Sequence, residues 1–121
     1  MTKELDKLKA AGDETRLRIL RILIRAQAEI CVCHIESIIK KPQYNISKSL
    51  SILKKAGLIE ERRLGRFMMY KLKTDDLFNK AFFESISLLN DESDAFMRDD
   101  AGLKNFMSSD KIYGPDKCCN R

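Results

Sequence analysis

The chain has no tryptophan, one histidine, two prolines and five glycines in 121 residues. It also has no long apolar run. The longest are only a few residues, so no segment can span a bilayer as a helix. No glycine-rich loop cradles a phosphate. Neither Cys31 nor Cys33 is followed by the arginine that a cysteine-based phosphatase or arsenate reductase loop needs, so the chain is not expected to be an enzyme. The N-terminal residues MTKELDKLKAAGDETR carry charge throughout and hold no apolar signal core. That reads as a cytoplasmic protein. In that compartment its four cysteines read as metal-binding, redox-active or incidental before they read as a disulfide framework.

What is present is charge, unevenly placed. Residues 1–73 hold 17 Lys+Arg against 8 Asp+Glu, a net +9. Residues 74–121 hold 6 against 10, a net −4, and together these make the chain's +5. A basic half is what phosphate binding requires, and equally what a solvated surface looks like.

The periodicity predicts helices with apolar stripes. Residues 5–11 form a short one. Asp13 then caps a helix over 15–26, with Leu17, Leu20 and Ile24 on its stripe and Arg16, Arg18, Arg21 and Arg25 on solvated faces. Residues 31–41 form a third helix with Ile35, Ile38 and Ile39 inward. Pro42 ends it, because proline cannot continue a helix and pushes Lys41 out of helical conformation. The next helix starts near Tyr44 or Asn45. Ile46, Leu50 and Leu53 face the core, and Gly57 stops it. This pair reads as a helix-turn-helix whose second helix has a polar N-terminal face.

Residues 58–72 change to strand character around Leu64-Gly65-Arg66, which predicts a β-hairpin. A helix over 77–89 follows, with Phe78, Phe82, Phe83, Ile86 and Leu89, and so aromatic a helix is expected to bury itself against a partner subunit. The division is therefore a winged helix-turn-helix DNA-binding and dimerisation domain over 1–90. An acidic, polar tail over 91–121 carries the pair Cys118 and Cys119. There is no internal repeat and no low-complexity run.

Base edges are read by N-terminal side chains of a recognition helix, and arginines elsewhere hold phosphates. The DNA-binding candidates are Gln43, Asn45, Ser47, Lys48 and Ser49 on the helix and Arg62, Arg63 and Arg66 on the hairpin. Ser47 has a plainer role open to it, bonding its own backbone, and Ser49 a solvated one. Cys31 and Cys33 are i, i+2. On a regular helix that spacing points them about 200° apart. Both reach one ion only if the segment is extended or distorted at the helix start. Two small buried apolar residues is the other reading. His34 is either a weak ligand or a polar residue on an exposed turn.

The stretches LKAAGDETRLRIL, EICVCHI and QYNISKSLSILKKAGLIEERRLGRFMMYKL together resemble the ArsR/SmtB family of metal- and metalloid-sensing repressors, over roughly residues 8–72. The resemblance implies a mainly α (α+β) winged helix-turn-helix with a two-stranded β-wing. It implies a homodimer paired through its terminal helices on an inverted-repeat operator in double-stranded DNA. It also implies release when an inducer binds, with Cys31 and Cys33 as ligands. Many family members carry His at the place of Ser49, so base preference should differ here. Arsenic sensors often add a third cysteine one turn along the helix, where this chain has Glu36 or Ser37. Cys118 or Cys119 would replace it. The cadmium type adds N-terminal cysteines, and none precedes Cys31. The zinc type uses His on the last helix, and residues 75–89 have none. The expectation is a repressor answering As(III), and Sb(III) as a second inducer. A thiol redox switch and a cadmium-, lead- or zinc-responsive repressor are the alternatives.

Overall fold

The computed structural model describes residues 2–89 and 94–109. Its elements, in order, are α1 (Lys3–Ala11), α2 (Glu14–Ala26), β1 (Ile30–Cys31), α3 (Val32–Ile39), α4 (Gln43–Lys55), β2 (Ile59–Leu64), β3 (Phe67–Leu72), α5 (Leu77–Ser87) and α6 (Asp94–Ser109).

The boundaries follow local chemistry. Asp13 caps α2 by accepting from the Arg16 amide at 3.2 Å. Gln27 ends α2 in the left-handed region at φ 52°. Lys40 ends α3 in the same way at φ 62°, and its amide donates to the Glu36 carbonyl at 2.7 Å. Pro42 then becomes the N-cap of α4, which begins at Gln43, a residue or two earlier than the periodicity predicts. Gly57 and Gly65 take φ 84° and 65°, after α4 and at the hairpin tip.

The stripes converge on one core. Ile19, Leu20 and Leu23 of α2, Ile35 of α3, Ile46, Leu50 and Leu53 of α4, and Ile30 and Leu58 are essentially removed from solvent. Burying a side chain of this size stabilises by roughly 1.5–3 kcal/mol, so these residues dominate the fold. Asn79 is a buried polar pin. Its Nδ2 donates to the carbonyls of Gly57 and Lys73, both at 2.9 Å, and locks the start of α5 onto the chain on either side of the hairpin.

The hairpin forms as expected, with Ile59 opposite Leu72 and Leu64 opposite Phe67. The sheet has a third strand that was not expected. The two residues of β1 pair antiparallel with β3, Ile30 opposite Tyr70 and Cys31 opposite Met69, giving the order β1-β3-β2. So short a strand carries no period to read.

One expectation about α2 is corrected. Arg18 and Arg21 are buried rather than solvated, because α6 covers them. Arg18 makes a two-pronged ion pair with Asp99 at 2.8 and 2.8 Å. Arg21 reaches Asp100 at 2.6 Å and lies 4.5 Å from the centre of the Phe96 ring. Gly102 of α6 lets that helix pass close to α3, since a Cβ there would lie 3.3 Å from Ile38. In α5, Phe83 and Ile86 are buried within the chain itself, and Phe78 stacks on Phe82 at 5.6 Å on its half-buried side.

Candidate nucleic-acid interface and thiol site

The apolar stripe of α4 faces the core, so its opposite side faces outward. Gln43, Asn45, Ser47 and Lys48 are all exposed there, within the first six residues after the proline cap. Ser49 is placed differently. It is buried, and its hydroxyl is not on the exposed face with the others. Tyr44 is on that face, 72% exposed, with the Lys48 ammonium 6.0 Å from its ring centre. The sequence reading used it only to mark a helix start. Its i, i+4 relation to Lys48 was the available signal.

Arg62 and Arg63 stand exposed on β2, and Arg66 is exposed at the turn. They are not equivalent. Arg62 is held by Glu29, Nε at 3.0 Å and Nη2 at 2.6 Å, which keeps the Glu29 carboxyl below its ordinary range. Glu29 had no role in the sequence reading, because 33 residues separate it from its partner. On the neighbouring stretch, Lys54 of α4 pairs with Glu61 of β2, and that ion pair lowers the Glu61 pKa. Tyr70 of β3 is pushed up to about 12, by burial first and by Glu61 second.

Cys31 sits where β1 becomes α3. As N-cap it is extended, at φ −75° and ψ 148°, and only 1% exposed. Cys33 lies in the first turn of α3 and is also buried. The backbone therefore departs from helical geometry at the point where an i, i+2 pair needs it to. Both cysteines share a small apolar cluster with Met69 of β3, with Leu64 and Phe67 packed against it. The thiol segment is thus built into the wing. In register, Cys31, Met69 and Arg62 lie in one row across the three strands.

Both Cys31 and Cys33 are disulfide-bonded. This is the oxidised form of the same chemistry, and thiolate ligation requires reduction first. His34 is buried rather than on an exposed turn, because the segment that holds it is the packed helix α3. Among the described residues no group of three His, Cys, Asp or Glu side chains can hold a metal ion. These residues supply two sulfurs, one fewer than trivalent arsenic takes. Cys118 and Cys119 lie outside the described residues.

Comparison with known proteins places this geometry. The family model described as bacterial regulatory protein, arsR family, matches residues 13–61. An uncharacterized HTH-type transcriptional regulator of Methanocaldococcus jannaschii is 44% identical over 73 residues, 60% of this chain and 81% of that protein. The arsenical resistance operon repressor of Escherichia coli K12 is 36% identical over 64 residues, 53% of this chain and 54% of its own length. The chain thus spans about half of that repressor. A cadmium resistance regulatory protein homolog of Staphylococcus aureus is 34% identical over 77 residues, 61% of this chain and 63% of that one. Among solved structures, HlyU of Vibrio cholerae superposes with a TM-score of 0.63 at 30% identity, covering 69% of this chain and 87% of HlyU.

Proposed function

The chain belongs to the ArsR family of bacterial regulatory proteins, and from that premise we propose a dimeric cytoplasmic repressor that leaves its operator when trivalent arsenic, or antimony, engages its cysteines. The observation that carries the reading is the extended backbone at Cys31, with Cys33 two residues on, at the join of wing strand and helix-turn-helix.

In the DNA-bound form Gln43, Asn45, Ser47 and Lys48 enter the major groove of an inverted-repeat operator, with Tyr44 beside them. Arg63 and Arg66, and Arg62 when it leaves Glu29, hold phosphate or minor groove. Ser49 supports the helix from behind. The second subunit packs on the groove between α1, α2 and α5, where Leu8 and Leu89 are exposed beside Leu17, Phe82 and Ile86.

Arsenic supplies a soft trivalent centre for three thiolates. Reduced Cys31 and Cys33 would hold it, with Cys118 or Cys119 as the third sulfur. Drawing Cys31 and Cys33 together changes the first turn of α3, and α3 is joined to α4 by only three residues. The start of the recognition helix then shifts. A coupling of roughly 1–3 kcal/mol is typical, and DNA must weaken inducer binding by the same factor.

A second reading has its own observation. Cys31 and Cys33 are disulfide-bonded here. Oxidation of two thiols by peroxide forms one S–S bond, with two protons and two electrons passing to the peroxide to give two waters, and it would disturb the same turn without any ion.

Operator binding by fluorescence anisotropy, in reductant, separates the readings. Wild type, Cys31→Ser with Cys33→Ser, and Cys118→Ser with Cys119→Ser are titrated with arsenite, antimonite, cadmium and zinc. Release by arsenite in wild type, lost in both double variants, is the expected result. Release by cadmium or zinc alone reassigns the inducer. No release by any ion in reductant, with release by peroxide once the reductant is removed, gives the redox reading.

A further inference from the structure

We propose that Cys31, Cys33 and Met69, once the cysteines are reduced, form a site for the soft monovalent cation Cu(I), with the wing methionine as third donor. The site shares two thiols with the arsenic reading above but does not depend on it. Its third sulfur comes from β3 and not from Cys118 or Cys119.

Three sulfur-bearing side chains meet in one buried cluster apart from the main core. Cys31 is 1% exposed, Cys33 8% and Met69 4%. Cys31 and Met69 stand opposite each other in the antiparallel pair of β1 and β3. Opposed residues on such strands project from the same face of the sheet, with Cβ atoms about 5 Å apart. Met68, one residue back on the strand, projects from the other face. Cys33 joins from the first turn of α3, and Val32, Leu64 and Phe67 pack around all three.

The donor set selects the ion. Among the described residues, no third His, Cys, Asp or Glu side chain joins the two cysteines. The remaining donor in the cluster is a thioether, which is neutral and soft. Zinc takes four N, O or S ligands, and a thioether is a poor one for it. Two thiolates with a thioether suit Cu(I). The apolar wall also keeps water from the ion, which disfavours the hydrated divalent state.

Loading balances. A dithiol reductant gives two electrons and two protons to each disulfide bond. Cu(I) then displaces one proton from each of the two thiols to solvent, and the thioether adds without losing anything. The filled site ties the first turn of α3 to β3, the central strand of the wing sheet.

The test uses the full-length protein, reduced with a phosphine and kept anaerobic. Cu(I) is partitioned between the protein and a coloured bidentate chelator, and X-ray absorption counts the sulfurs on the bound ion. Met69→Leu and the control Met68→Leu are each made in wild type and in the Cys118→Ser, Cys119→Ser background, where tail thiols cannot supply a missing donor. Leucine keeps the apolar volume of methionine, so the fold survives. Three sulfurs and tight binding are expected in the tail background. Met69→Leu there should leave two sulfurs and weaken Cu(I) by about tenfold or more, since even an outer partner of a metal ligand is typically worth 10–100-fold. Met68→Leu should change neither. An unchanged affinity and sulfur count in Met69→Leu overturns the proposal, and so does an equal fall in Met68→Leu. Loss of the third sulfur on removing the tail cysteines alone moves the donor to the tail and overturns it too. Arsenite binding, measured in parallel, should ignore Met69→Leu and follow Cys118 and Cys119. No Cu(I) uptake with arsenite uptake intact sinks this site alone, and the reverse sinks the arsenic reading alone.

Discussion

Arg62 of the wing and Glu29, which stands just ahead of Ile30–Cys31, are joined by two parallel hydrogen bonds of 3.0 and 2.6 Å. A guanidinium held this way has its fork occupied by a carboxylate and cannot grip a phosphate with the same two N–H groups. Glu29→Gln should therefore release Arg62. The expected outcome is tighter operator binding with a salt slope steeper by about one. Thermal stability should change little, since the pair is solvent-exposed. Anisotropy titrations at several salt concentrations check this, and an unchanged slope means that Arg62 meets no phosphate.

The buried pair of Arg18 and Asp99 ties α6 to α2. Asp99→Ala leaves an arginine without its partner in a site that is 7% exposed, and should cost about 3–5 kcal/mol in urea unfolding. Arg18→Leu combined with Asp99→Leu should cost far less, because a buried ion pair is often replaceable by apolar volume. If Asp99→Ala unfolds like wild type, the pair does not hold α6 in place.

Tyr70 sets an alkaline limit. Its folded pKa is raised to about 12 from an ordinary 10, so the folded state holds the phenol proton more tightly than the unfolded chain. That stabilisation is complete below pH 10 and is lost as pH rises from there toward 12. Tyr70→Phe should flatten the fall in melting temperature over this window, and parallel curves for the two proteins would count against it. Glu61 and Glu29 act in the opposite direction. Lys54 and Arg62 lower their pKa values from an ordinary 4.5, so their contribution is present above that pH and disappears as pH falls through the folded values. Arg62→Ala should shrink the acid-side loss in the same melting series.

Gly65 has φ 65°, and an added Cβ would meet nothing within 4 Å. Only backbone strain opposes a side chain there. Gly65→Ala should destabilise by about 1 kcal/mol, and Gly65→Asn by less, because asparagine tolerates the left-handed region better. Equal stability of all three proteins by thermal melting would mean that the tip reshapes.

Much of the site was legible in the chain order. Pro42, the stripe of Ile46, Leu50 and Leu53, and the polar residues between them place the outward face of α4 by geometry alone, because helical period and proline sterics are local. Ser49 shows the limit of that reasoning. The sequence reading made it a DNA-contact candidate, with a solvated hydroxyl as the plainer alternative, yet it is buried. Glu29, Asn79 and Asp99 gave no local signal. Each matters through a partner 22 to 81 residues away.

The helix-turn-helix, the hairpin and the turn at Gly65 were written into the order of residues, since caps, turns and periodicity depend on neighbours a few positions apart. Three-dimensional packing settled the rest. It joined the cysteine strand to the wing sheet and laid α6 over two arginines of α2. It also gathered Cys31, Cys33 and Met69 into one buried cluster. Those outcomes depend on which distant faces meet, and that meeting is fixed by the joint packing of all the elements.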